Sequence, residues 1–129
     1  LILLSSAAVL VMSLGYMLRH NLGRFEYPIL IIFSVVGMMF MVSASDLILI
    51  YLSVELLSLS SYVLTGFTKL SERNAEASLK YLIYGSVSSG LMLFGISIVY
   101  GLTGTTNLYE LNTLFSQTKY LPNNILILF

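Results

Sequence analysis

Apolar residues in this chain fall into long runs separated by short polar breaks. The runs cover residues 1–18, 27–44, 46–67 and 75–101, and a fifth begins near Pro122 and continues to 129. A helix needs roughly 20 apolar residues to cross a hydrocarbon layer about 30 Å thick. Lipid offers no partners to backbone N–H and C=O groups, so spanning segments are helices or closed-barrel strands, and runs this long exclude strands. The pattern predicts an all-α, polytopic transmembrane helix bundle forming a single membrane domain over residues 1–129. Residues 1–18 read as the tail of one span, and they lack the basic region and cleavage site of a signal peptide. The chain starts in mid-run at Leu1 and stops inside "NNILILF", so it reads as an internal piece of a larger membrane protein.

Local signals set the ends of these helices. Pro28 falls in the first turn of the second run, where its missing N–H costs nothing. Ser45 or Asp46 is suited to cap the third run, and Asn74 the fourth. Glu76 is placed favourably for the dipole of the fourth helix. The segment "TNLYELNTLF", inside the 102–121 connection, predicts a short interfacial helix.

Composition supports the membrane reading. Apolar residues make up 57% of the chain and charged residues 9%, against about 25% charged in soluble domains, and the mean hydropathy is +0.92. Six Lys/Arg balance six Asp/Glu, which gives no reason to expect a nucleic-acid partner. There is no cysteine, hence no disulfide framework and no thiolate metal site. The loops at 19–26 and 68–74 carry Arg19, Arg24, Lys69 and Arg73, whereas the "SASD" turn and the 102–121 loop carry only Lys119. That excess assigns the first two loops to the cytoplasmic or matrix side.

The third run carries the chemistry. Tyr51, Glu55, Ser58, Tyr62 and Thr65 are spaced by four, three, four and three residues, which puts them on one helix face. A line of hydroxyls with one carboxylate is what a hydrated proton path could use. Its bland counterpart is a set of hydroxyls bonded to neighbouring helices. Glu55 tips the balance, because a carboxylate near the bilayer centre costs about 2.5 kcal/mol or more and such groups usually serve function. In the fourth run Lys80 follows Glu76 by one turn, in the favourable order, and it can equally snorkel to the interface. Lys80, Tyr84 and Ser88 share a face, while Gly85, Ser86, Ser89 and Gly90 form a small-residue patch suited to helix packing. If the two polar lines face each other, Glu55 and Lys80 can tune one another, since desolvation and an opposite charge shift their proton affinities in opposing ways. Asp46 is better explained as a cap than as a transport group. His20 reads as a solvated loop imidazole, and "MMFM" (38–41) as flexible packing. No nucleotide loop, zinc motif or nucleophilic triad is present.

Three stretches together carry a family likeness: the short turn "SASDL", the carboxylate in "SVELLSL" and the lysine in "EASLKYL", in that order and spacing. With the sequence around them they resemble the antiporter-like subunit 2 family of respiratory complex I, NADH:quinone oxidoreductase, called subunit N in bacteria. The likeness implies the third through sixth transmembrane helices and the start of the seventh. It also implies that Glu55 and Lys80 belong to a proton half-channel; Tyr51, Ser58, Tyr62 and Tyr84, from the spacing along the two polar lines, are the candidate hydroxyls for such a path. In such a complex this chain would be a non-redox subunit of a proton-translocating NADH:ubiquinone reductase. It would hold no cofactor, with FMN, iron–sulfur clusters, NADH and quinone on other subunits. Its partners would be lipids and other membrane subunits, including neighbouring antiporter-like ones. The expected location is the mitochondrial inner membrane, with the bacterial plasma membrane second and the thylakoid third. The rivals are a subunit of a multi-subunit cation/proton antiporter and a purely structural membrane subunit with Glu55 locked in a permanent ion pair.

Overall fold

A computed structural model describes residues 1–19, 26–67 and 72–118. The order of elements is α1 (Ile2–Arg19), α2 (Glu26–Ser43), α3 (Leu47–Thr65), α4 (Glu72–Thr103) and α5 (Leu108–Thr118). Three of these, α2, α3 and α4, are long and apolar enough to cross a membrane, and α1 contributes a shorter apolar helix. The short helix expected in the 102–121 connection is α5. His20, Arg24, Lys69, Lys119 and the run beginning near Pro122 lie outside the described residues.

Successive helices pack side by side, α1 on α2, α2 on α3 and α3 on α4. One end of the bundle is closed by aromatic rings: Tyr27 at the start of α2 stacks on Tyr16 of α1 with centroids 6.2 Å apart and meets Phe67, just past α3, edge-on at 5.3 Å. Gly37 of α2 sets the closest crossing. It is buried, and a Cβ there would come within 3.0 Å of the backbone N of Leu57 and the carbonyl of Ser53. Small residues let helices approach closely where lipid supplies no hydrophobic force between them. The crossing buries Ile31, Val35 and Ser53.

The opposite end is held by polar groups. Asp46 has extended backbone angles, and its Oδ1 accepts from the Ile48 N–H at 2.8 Å, capping α3. Asn107 does the same for α5, its Oδ1 accepting from the Tyr109 N–H at 2.9 Å. The two caps lie opposite each other in an isolated antiparallel bridge. Leu47 N–H donates to the Thr106 carbonyl at 2.9 Å and Leu108 N–H to the Ser45 carbonyl at 3.0 Å. The Thr106 hydroxyl then donates to Asp46 Oδ2 at 2.8 Å. Gly104 makes the sharp exit from α4 possible, with φ of 74°, a region open to glycine at little cost. Asp46 is therefore both a cap, as expected, and a clasp between segments sixty residues apart.

One expected boundary is corrected. α4 begins at Glu72 rather than after Asn74, so Asn74 sits inside the first turn and does not cap it. Pro28 falls on the third residue of α2, still within the turn whose N–H groups have no helical acceptor. Outward surfaces are apolar along most of their length, as at Leu4, Val42, Leu91 and Phe94.

Losing a cap costs about 1 kcal/mol, and losing one side-chain hydrogen bond costs a similar amount. Asp46→Ala should lower the thermal stability of the purified full-length protein by about 2 kcal/mol. Thr106→Val, which removes only the cross-link, should cost about half as much. Equal losses in the two variants would mean that the cap contributes nothing.

Candidate functional site

Glu55 is the ninth of the nineteen residues of α3, halfway along a span. Its side chain is half-buried on the face turned toward α4. There the Ser89 hydroxyl hydrogen-bonds to Glu55 Oε1, and the same Ser89 oxygen lies 3.1 Å from the Tyr51 hydroxyl. Three oxygens from two helices thus meet at mid-span. Among the described residues Glu55 has no cation within ion-pairing distance.

The facing side of α4 follows from its burial pattern. Ser78, Gly85, Ser89, Ile96, Val99 and Thr103 are partly covered, at intervals of seven, four, seven, three and four, and the residues around them are exposed. That spacing is one helical stripe. Along it α4 runs antiparallel to α3. Tyr62 lies against Gly85, where a Cβ would overlap the tyrosine hydroxyl. Its ring meets Tyr81 edge-on at 4.7 Å, and the Ser78 hydroxyl donates to its carbonyl at 2.8 Å. Gly66, just past α3, is closed over by Ser78, which a Cβ at Gly66 would approach to 2.8 Å.

The expected polar line divides on this basis. Tyr51 and Glu55 join the inter-helix cluster. Tyr62 is buried and works as a packing anchor through its ring and carbonyl. Ser58 is half-buried on the same face. Thr65 is exposed and bonds back to the Ser61 carbonyl at 2.9 Å. Most other α3 hydroxyls also serve their own helix: Ser53, Ser60 and Ser61 each donate to the carbonyl four residues back.

Lys80 is elsewhere. It precedes Ser89 by nine residues, which at about 1.5 Å and 100° per residue is about 13.5 Å along the axis and half a turn around it. Its Nζ pairs with Glu76 at 2.5 Å, and both side chains are mostly exposed, 65% and 63%. Tyr84 is 76% exposed, and Ser88 is exposed too. The line of Lys80, Tyr84 and Ser88 is therefore turned away from Glu55, and the two polar lines do not face each other. The residue that does face Glu55 is Ser89, which sequence reasoning placed in a packing patch. The signal that could have found it is the seven-four interval Ser78–Gly85–Ser89, small residues on one stripe beside a helix bearing a carboxylate. Among the described residues no group of three His, Cys, Asp or Glu side chains could hold a metal ion.

The sequence profile of the family described as NADH:quinone oxidoreductase/Mrp antiporter, TM, matches residues 44–129, from the Asp46 clasp onward and through the Glu55–Ser89 cluster. The chain belongs to this family. Relatives within the NADH:quinone oxidoreductase/Mrp antiporter family include NADH-quinone oxidoreductase subunit N of Rhodobacter capsulatus, 52% identical over 125 residues, which is 97% of this chain and 26% of that protein. The subunit N of Paramagnetospirillum magneticum is 49% identical over 116 residues, 90% of this chain and 24% of the relative. A chain of respiratory complex I from Thermus thermophilus, solved with bound aureothin, superimposes with a TM-score of 0.61 at 35% identity, over 67% of this chain and 20% of its own length. The chain spans about a quarter of the length of the curated relatives it matches. The all-α membrane fold expected from hydropathy is the fold of these proteins.

Gly85→Val should drive the Tyr62 ring out of its seat on α4. Overpacking of this kind costs about 1–3 kcal/mol, so the full-length variant should melt earlier, and Tyr62→Leu in the same chain should restore part of the loss. An unchanged melting temperature for Gly85→Val would show that α3 and α4 are not in this register.

Proposed function

We propose that this chain is a section of the antiporter-like membrane subunit N of NADH:quinone oxidoreductase, respiratory complex I, and that it contributes part of a proton-translocation half-channel. The names of its relatives and the superposition on a complex I chain support the assignment to that complex. The observation that carries the proton reading is Glu55: a mid-span carboxylate bonded to the Ser89 hydroxyl, which in turn contacts the Tyr51 hydroxyl, and paired with no cation among the described residues. A carboxylate so placed can change charge without breaking an ion pair, whereas a locked structural pair would need a Lys or Arg beside it. Intramembrane carboxylates of this kind mark proton and ion paths.

In this reading Glu55 is the coupling carboxylate, and Tyr51, Ser58 and Tyr62 line its side of the hydration path. Lys80 is a proton-relay or charge-balancing group that, with Tyr84, serves the opposite face of α4, toward protein beyond this chain. Electron transfer from NADH to quinone occurs elsewhere in the complex and drives proton movement here, so this subunit acts as a non-redox part of a translocase. FMN, the iron–sulfur clusters and the NADH and quinone sites belong to other subunits. Lipids and neighbouring membrane subunits, antiporter-like ones among them, are its partners. The named relatives are bacterial, which supports a bacterial plasma membrane ahead of the mitochondrial inner membrane. The family description also covers Mrp antiporters, so a cation/proton antiporter subunit is the second reading. The subunit N names of relatives near 50% identity support the first.

Glu55→Gln keeps the shape of the side chain and removes its charge. In the intact, assembled complex we expect protons pumped per NADH oxidised to fall several-fold. Unchanged pumping would show that no charge is needed at this position. Loss of assembly in both Glu55→Gln and Glu55→Asp would favour the structural role instead.

A further inference from the structure

We infer that the outer half of the α3–α4 seam, built on Ile50, Ile96 and Val99, is a dry barrier that keeps protons from passing between Glu55 and the clasp at Asp46. The inference rests on the proton reading of Glu55 given above and adds to it the side on which the site is sealed.

Glu55 divides the two helices into unequal halves. Toward the 68–74 connection, which the loop charges assign to the cytoplasmic or matrix side, α3 carries Ser58, Ser60, Ser61, Tyr62 and Thr65. There α4 presents Ser78, on its partly covered stripe. In the other direction the polar side chains of the seam end at Tyr51 and Ser89. Beyond Tyr51, α3 reads "LILI" (47–50), with Leu47 and Ile50 half-buried. Ser53, between Tyr51 and Glu55, is buried and returns its hydrogen to the Leu49 carbonyl at 2.6 Å. Beyond Ser89, α4 reads "GLMLFGISIV" (90–99), where Ser97 is the one polar side chain. Ser97 is exposed and donates to its own Phe94 carbonyl at 2.7 Å. The side chains that this stretch keeps partly covered are Ile96 and Val99.

A proton crosses a membrane protein along hydroxyls, carboxylates or waters held in line. A buried water needs about three polar partners to stay, and apolar constrictions close by expelling it. Neither helix offers such partners in its outer half, because the backbone groups are spent on the helices themselves. From Tyr51 to Asp46 is five residues, about 7.5 Å along the axis, and from Ser89 to Val99 is ten, about 15 Å. Even the shorter gap is more than twice the length of a hydrogen bond, about 3 Å. Ser89, tied to Glu55 and touching Tyr51, is thus the last polar contact before the barrier. Polar groups resume at Thr103 and at the Asp46–Thr106 clasp. A seal on this side fits translocation outward from the cytoplasm or matrix. A proton on Glu55 cannot run straight out along α3, and none can return by that route. Its onward path leads through protein beyond this chain.

The test uses the assembled complex in sealed proteoliposomes and reads two quantities. One is the decay of an imposed pH gradient without NADH, and the other is protons pumped per NADH oxidised. Ile96→Asn puts a hydrogen-bonding group into the barrier. With the clasp side acidic, the gradient should decay several-fold faster, and pumping per NADH should fall while NADH oxidation continues. Ile98→Asn is the matched control, close to the same depth and on the exposed face of α4, and it should stay tight. Val99→Thr exchanges one methyl for a hydroxyl and carries the test if Ile96→Asn does not assemble. Tight membranes in the assembled Ile96→Asn, or in Val99→Thr where it stands in, would overturn the barrier and leave the role of Glu55 standing. Equal leakage from Ile98→Asn would mean general disruption and overturn it too. Joining Glu55→Gln to the leaking variant separates the two readings. A leak that stops runs through Glu55 and supports both, whereas a leak that persists keeps the barrier and removes Glu55 from the path.

Discussion

A carboxylate halfway along a membrane span has no water to solvate it, and the protein must supply what water would. Here the Ser89 hydroxyl of the next helix supplies it, with the Tyr51 hydroxyl of the same helix against that serine. The remaining architecture follows from bringing those oxygens together. α4 has to approach α3 within hydrogen-bonding reach, so the stripe it presents is built from Ser78, Gly85 and Ser89. The register has to be fixed along the axis, so Tyr62 is seated on Gly85 and Ser78 is tied to the Tyr62 carbonyl. Shifting α4 by a single turn would put Gly85, with no hydroxyl to offer, opposite Glu55.

Hydroxyls in this bundle divide into two kinds. Ser53, Ser60, Ser61 and Thr65 return their hydrogen to their own helix, which satisfies them without any neighbour. Ser78 and Ser89 cross to the adjacent helix instead. Sequence spacing cannot separate the two kinds, because a serine carries the same potential at either position. What separates them is whether a second helix stands close enough, and that depends on glycine and serine at the crossing. Packing and chemistry are one problem at Ser89: its small size permits the approach, and its hydroxyl then has something to bond.

The helices themselves, the cap at Asp46 and the mid-span position of Glu55 were legible in the sequence, because each follows from a local rule: run length, cap chemistry and the count of residues along a span. The rotation of α4 was not. Its apolar residues are spread almost evenly around the axis, so the residues Lys80, Tyr84 and Ser88 looked as good a facing stripe as Ser78, Gly85 and Ser89. A polar line signals a partner on a soluble helix, where the rest of the surface meets water. In a membrane helix it signals only that something other than lipid lies there, and for Lys80 that something is not α3. The antiparallel bridge between Asp46 and Asn107 was equally hidden, since it pairs residues sixty-one positions apart through backbone groups that every residue possesses.

That bridge has an electrostatic side. α3 and α5 both begin at it, so the N-terminal ends of two helices, each equivalent to about half a positive charge, converge on the single carboxylate of Asp46. An anion at the membrane surface would ordinarily be balanced by a lysine or arginine. Among the described residues at this end of the bundle the backbone provides the balance instead, and it does so only after folding. A nascent chain threading into the bilayer therefore shows no basic residue at the "SASD" turn that would hold the turn on the wrong side, yet the folded protein still has its countercharge.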